Sequence, residues 1–263
     1  MTHTQRLLEI MRTLRDPEQG CPWDKKQTFE TIVPHTLEEA YEVADAIEKD
    51  DMAELEGELG DLLFQVVFYA QLGSEQDLFD FESIAKAMSE KLIRRHPHVF
   101  SDMSLESDAA IKQNWEKLKQ QERQTKNQAN TSLLDDLPRS FPALSLAQKM
   151  QKRVGRHGFD WPDINGVIEK LEEEVAELKE AIAKEDKAHI EEELGDVLFS
   201  CVNLSRHLDL DPETALRKSC RKFESRFRQL ETLIDNDGLT VDTASLEQLE
   251  QAWQKAKQLS SGS

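Results

Sequence analysis

Apolar residues along most of this chain recur every three or four positions, the spacing that gathers them on one face of an α-helix. Val167, Leu171, Val175, Leu178 and Ile182 form one such stripe, and Leu194, Val197, Leu198, Cys201, Val202 and Leu204 form the next. Leu55, Leu59, Leu62, Leu63, Val66 and Val67 repeat the pattern earlier in the chain. The residues between them are mostly polar or charged, so each segment predicts an amphipathic helix with one face to bury. A further helix start is expected at Asp211-Pro212, with Asp211 as the cap and Pro212 at the first helical position, where its missing N–H costs nothing. Turn punctuation is thin. With 10 Gly and 8 Pro in 263 residues, a strand-rich fold is disfavoured and an all-α fold of helical bundles is expected.

The pattern occurs twice. Leu37-Glu38-Glu39-Ala40-Tyr41-Glu42 returns as Glu172-Glu173-Glu174-Val175-Ala176-Glu177, and Glu58-Leu59-Gly60-Asp61-Leu62-Leu63-Phe64 as Glu193-Leu194-Gly195-Asp196-Val197-Leu198-Phe199. Both blocks are displaced by 135 positions, from Glu39 to Glu174 and from Glu58 to Glu193. Two blocks in register point to duplication. A polar run from Gln120 to Ser132 separates the copies, and Pro138 and Pro142 punctuate the entry to the second. The domains expected are 1–118 and 140–263, joined by a linker at 119–139. Each is a bundle of four or five helices.

Composition narrows the function classes. Acidic residues outnumber basic ones by 52 to 33, giving a net charge of −19, and no basic stripe suited to nucleic acid is visible. Three scattered cysteines suit neither a disulfide framework nor a zinc site. The strongest apolar stretch, Leu62 to Phe68, falls short of a membrane span, and the opening residues lack signal-peptide character, so a cytoplasmic protein is expected.

The acidic blocks carry the candidate chemistry. Glu174 and Glu177 are three residues apart and share a helix face, as do Glu193 and Asp196. Lys184-Glu185-Asp186-Lys187 is short enough to join antiparallel helices, which would let the two pairs converge. Four facing carboxylates repel unless a cation lies between them, and an all-oxygen set suits magnesium or manganese. Any one of these glutamates is an ordinary solvated acid; it is the repeated constellation that favours a metal site. Gly195 costs roughly 1 kcal/mol of helix stability relative to Ala, and it predicts close approach by a helix or a ligand. A di-iron centre would use Glu-x-x-His, whereas both copies have Glu-x-x-Glu and Glu-x-x-Asp.

Basic and aromatic residues follow each acidic block. Lys222 and Arg226 lie one turn apart, and Lys91 and Arg95 lie one turn apart in the first copy. Such pairs either grip phosphate oxygens or balance an acidic surface. Trp253 and Trp115 lie near the ends of their copies, as core anchors or as platforms for a base.

These residues resemble the MazG family of nucleoside triphosphate pyrophosphohydrolases over essentially the whole chain. The Glu-Glu-x-x-Glu and Glu-x-x-Asp blocks of both copies carry the resemblance, together with Gly20-Cys21-Pro22-Trp23-Asp24 and Arg94-Arg95-His96-Pro97-His98-Val99-Phe100. It implies two tandem bundles of the all-α pyrophosphatase type, homodimerisation, and magnesium-dependent cleavage of NTPs and dNTPs to monophosphate and pyrophosphate with broad base tolerance. The metal ligands it implies are Glu174, Glu177, Glu193 and Asp196, with Glu39, Glu42, Glu58 and Asp61 as counterparts. Lys170, Lys222, Phe223, Arg226 and Trp253 would contact substrate, as would Lys91, Arg95 and Trp115 in the first copy. Lys222 and Arg226 would also neutralise the departing pyrophosphate, and Glu173 or Glu192 would orient the attacking water. Lys170 precedes Glu174 by one turn where the first copy has His35, which favours the second copy as principal catalyst. The rival readings are a helical interaction module without chemistry and a pyrophosphohydrolase for a narrower substrate such as phosphoribosyl-ATP.

Overall fold

The structure, a computed structural model, describes residues 1–101, 103, 107, 110, 111, 114, 115, 117–119, 122, 132–135 and 137–260. Most of the expected linker, at 120, 121, 123–131 and 136, therefore lies outside the described residues. Among those described, the regular structure is helical and no strand occurs. Contacts divide the chain into two units, Met1–Asn127 and Gln128–Ser263. The first contains α1 (His3–Leu14), a short 3-10 turn (Asp24–Lys26), α2 (Phe29–Lys49), α3 (Met52–Glu75), α4 (Phe81–Arg95) and α5 (Pro97–Phe100). The second contains α6 (Ala143–Gly155), α7 (Ile164–Ala183), α8 (Lys187–His207), α9 (Pro212–Asn236) and α10 (Leu246–Ser260).

Each unit is built around a helical hairpin, α2–α3 or α7–α8, whose turn is spelled out by its residues. Asp50 and Glu185, at equivalent positions, take the left-handed conformation that ends a helix, with φ of 59° and 56°. The next residues, Asp51 and Asp186, cap the following helices: their carboxylates accept from the N–H groups of Ala53 (3.1 Å) and Ala188 (3.1 Å). Asp211 caps α9 by accepting from the Thr214 N–H at 2.8 Å, with Pro212 beginning the helix.

Met11, Ile32, Val67, Phe68 and Leu72 form the core of the first unit, with Leu7, Phe29, Phe64 and Tyr69 packed around them. In the second unit, Leu230, Ile234 and Ala252 hold α9 to α10, while Val167, Ala181 and Val202 are buried elsewhere in the bundle. Burying one such Val, Leu or Phe contributes about 1.5–3 kcal/mol. The apolar stripes are wider than each unit covers. Leu59 and Leu63 on α3, and Leu194 and Leu198 on α8, remain exposed beside buried Val67 and Val202. Gly60 and Gly195 lie on these helices, and a Cβ added to either would meet no described atom within 4 Å. The close helix approach predicted at Gly195 is therefore not supplied by the described part of this chain.

Candidate active site

The hairpin turns bring the acidic faces of paired helices together. In the second unit, oxygens of Glu174, Glu177 and Glu193 all lie within 4.8 Å of one another. Glu174 and Glu193 are buried, at 6% and 8% exposure, while Glu177 faces solvent. Asp196, expected as the fourth ligand, is exposed and outside this group. In the first unit the convergent oxygens belong to Glu39, Glu58 and Asp61. Glu42 is outside that trio, yet it lies close enough to push the carboxyls of Glu39 and Glu58 upward.

Packing like charges together has the expected electrostatic result. Desolvation pushes the Glu39 and Glu58 carboxyls above the ordinary glutamate range, and the nearby charges of Glu42 and Asp61 push them further. Glu177 is raised by desolvation and then by Glu193. One carboxylate oxygen, Glu193 Oε2, is buried without a hydrogen-bond partner among the described residues. A buried anionic oxygen without a partner is costly, and a hard divalent cation among three carboxylates would satisfy it. The donor set therefore fits magnesium or manganese.

Two nitrogen-bearing side chains flank the second cluster. Lys170 Nζ lies 2.8 Å from Glu173 and 2.9 Å from Glu174, and these hydrogen bonds raise its pKa, so it stays fully charged. His189 Nε2 lies 2.9 Å from Glu193 Oε1. This histidine was missed in the sequence, although its place one turn before Glu193 was the available signal. In the first unit, His35 stands 3.6 Å from Glu38 in place of Lys170, and Glu54 occupies the position equivalent to His189. A second missed residue, buried Gln65, reaches Glu39 at 3.5 Å.

The other expected substrate contacts lie outside the helical hairpins that bear the carboxylates. Lys222 and Phe223 are exposed on α9, and Arg226 is half-buried there with Nε unpartnered among the described residues. Trp253 is half-buried against the α9–α10 core, 5.4 Å from the Phe223 ring. In the first unit, the Arg95 guanidinium lies 5.5 Å from the centre of the Trp115 ring, so these two expected residues do meet. Arg95 and Arg94 also bind Glu122, whose carboxyl they lower to about 2. Lys91 is half-buried on α4, and Glu192, like Glu173, is exposed beside its cluster.

An all-helical protein with a carboxylate cluster in each of two repeated hairpins is thereby defined. The model of the MazG nucleotide pyrophosphohydrolase domain matches residues 27–100 and 164–230, the segments that contain the two clusters. A nucleoside triphosphate pyrophosphohydrolase of Escherichia coli K12 is 52% identical, with 98% of each chain aligned. The nucleoside triphosphate pyrophosphohydrolase/pyrophosphatase MazG of Thermotoga maritima is 47% identical over 96% of this chain and 95% of its own. A crystal structure of a MazG-related protein from Thermotoga maritima shares 34% identity over 44% of this chain and 98% of its own, with a TM-score of 0.38. The chain belongs to the MazG family.

Proposed function

We infer that the carboxylate clusters bind magnesium, with manganese as a substitute, and that the second cluster is the principal catalytic centre of the family's reaction. The chain is a nucleoside triphosphate pyrophosphohydrolase, releasing the monophosphate and pyrophosphate. The observation that best supports a metal-dependent site is the buried, unpartnered Oε2 of Glu193, whose carboxyl group meets those of Glu174 and Glu177.

Glu174, Glu177 and Glu193 would hold the ion, with Asp196, three residues beyond Glu193, as the fourth carboxylate. Bound there, magnesium supplies positive charge to the phosphates and lowers the pKa of a water. Lys170 already lies against Glu174 and can transfer its hydrogen bonds to a phosphate oxygen once the carboxylates face a cation. Glu173, released by the same movement, or Glu192 orients the attacking water. Lys222 and Arg226 stabilise the charge that builds on the departing pyrophosphate. The first cluster repeats this plan with Glu39, Glu42, Glu58 and Asp61 but without the Lys170 charge, so it turns over more slowly.

Exposed Leu194 and Leu198 beside Gly195, and Leu59 and Leu63 beside Gly60, support a homodimer in which a second copy covers these faces. Among the described residues no helix is long and apolar enough to cross a membrane. The net charge of −19 favours free nucleotides over nucleic acid as partners, and a cytoplasmic location goes with that reading.

The deciding experiment is product analysis of the purified protein with each NTP and dNTP, in magnesium and in EDTA. Monophosphate plus pyrophosphate, lost in EDTA, is the expected result. Diphosphate plus orthophosphate would mean that another bond is cut, and turnover that persists in EDTA would remove the metal from the reading.

A further inference from the structure

The two copies close on matching segments that differ in one charge. Trp115-Glu116-Lys117-Leu118-Lys119-Gln120-Gln121-Glu122 returns as Trp253-Gln254-Lys255-Ala256-Lys257-Gln258-Leu259-Ser260. The tryptophan, both lysines and a glutamine keep their places, whereas the last position is Glu122 in the first copy and Ser260 in the second. Trp115, Lys119 and Glu122 are helical, and their spacing of four and then three puts them on one face. Trp253, Lys257 and Ser260 share a face of α10 in the same way.

In the first unit that face meets the end of α4. Arg94 donates to Glu122 at 2.7 and 2.9 Å, and Arg95 donates to both oxygens of the same carboxylate. The Arg95 side chain is only 14% exposed, with its guanidinium over the Trp115 ring. Two guanidinium groups converging on one anion is the arrangement that a phosphate group would also take. In the second unit the matching place is neutral. Ser260 Oγ lies 3.3 Å from Gln229 and donates to the Ala256 carbonyl at 2.8 Å. Gln229 is one turn beyond Arg226 on α9, and Arg226 Nε is buried without a hydrogen-bond partner among the described residues.

We propose that Glu122 is a built-in competitor for phosphate, which closes the first copy to triphosphates by holding Arg94 and Arg95, while Ser260 leaves the second copy open. The proposal rests on the phosphate-gripping reading of Arg95 and Arg226 given above. A carboxylate carried by the same chain competes at an effective concentration on the order of millimolar or more, so a triphosphate must displace it before it can bind. The two arginines lower the Glu122 carboxyl to about 2, which keeps the competitor charged at neutral pH. This difference between the copies acts on anion binding and is separate from the Lys170 charge beside the second carboxylate cluster.

The test is isothermal titration calorimetry of the full-length protein with inorganic tripolyphosphate in magnesium, comparing wild type, E122S and the double variant E122S/R95A. E122S is expected to bind one equivalent more than wild type, and the double variant to lose that gain. Identical binding by wild type and E122S would overturn the proposal, as would a gain that survives in E122S/R95A, since lost negative charge alone would then account for it. A wild-type protein that binds no tripolyphosphate would overturn the phosphate reading of Arg226, while the comparison of E122S with its double variant would still decide the role of Glu122. If E122S fails to fold, the reciprocal change decides. S260E is expected to raise KM for ATP roughly tenfold or more, with S260Q close to wild type, and an unchanged KM in S260E would overturn the proposal.

Discussion

At the scale of single residues, the clusters are places where the fold packs like charges together against their mutual repulsion. Glu174→Gln is expected to reduce magnesium-dependent hydrolysis by on the order of 100-fold or more while the protein still folds, as judged by its circular dichroism melt. Equal turnover in the variant would remove Glu174 from the site. The raised carboxyls set a pH dependence. Because Glu39, Glu58 and Glu177 titrate above the usual 4.5, their protonated forms are favoured in the folded state, and the metal-free protein loses that contribution as pH rises through 4.5 and the raised values. A magnesium ion bound as proposed would have to displace those protons. Its affinity, measured by calorimetry, should therefore fall on acidification while the pH is still above 4.5, and an affinity flat down to that point would contradict the assignment. The acidic pairs were legible in the sequence because three-residue spacing fixes a shared helix face. His189, Gln65 and the unpartnered Glu193 oxygen depend on how two helices meet, which spacing within either helix does not specify.

Helices and their clamps carry the next scale. Asp160 is held at a pKa of about 2 chiefly by hydrogen bonds from Arg206, with His207 adding to the effect. A carboxyl lowered from 3.8 contributes stability that is complete above 3.8 and lost as pH falls toward 2. Asp160→Asn should accordingly lower stability by about 0.5–1 kcal/mol at pH 7, seen in chemical denaturation, and the difference from wild type should vanish below about pH 2. A variant as stable as wild type at pH 7 would show that the clamp holds nothing. The exposed stripe on α8 makes a second prediction: Leu198→Lys should shift the protein toward monomer in sedimentation velocity. If wild type is already monomeric, the apolar faces have another occupant. The helices themselves were readable from periodicity and from caps such as Asp211. Which residues of a stripe end up buried was not, because Leu198 and Val202 are alike in sequence and differ only in whether another helix reaches them.

For the whole molecule, duplication is the organising fact. The same hairpin, with a left-handed residue followed by an aspartate cap, is built twice, and each unit contains its own buried residues. Expressed separately, 128–263 is expected to hydrolyse ATP with magnesium and 1–127 to be markedly slower, measured as pyrophosphate release. The reverse ranking would show that the Lys170 charge is not what distinguishes the copies. The sequence by itself determined the all-α class, the repeat, the acidic blocks and the family resemblance, because periodicity, spacing and charge are local properties of a chain. Tertiary structure alone decided which three carboxylates meet in each copy, that Asp196 and Glu42 stand outside the tightest groups, and that Lys170 and His189 flank the second cluster. Those outcomes depend on hairpin register and on loops clamped by residues distant in sequence, such as Asp160 with Arg206, and no periodicity within one segment encodes such distances.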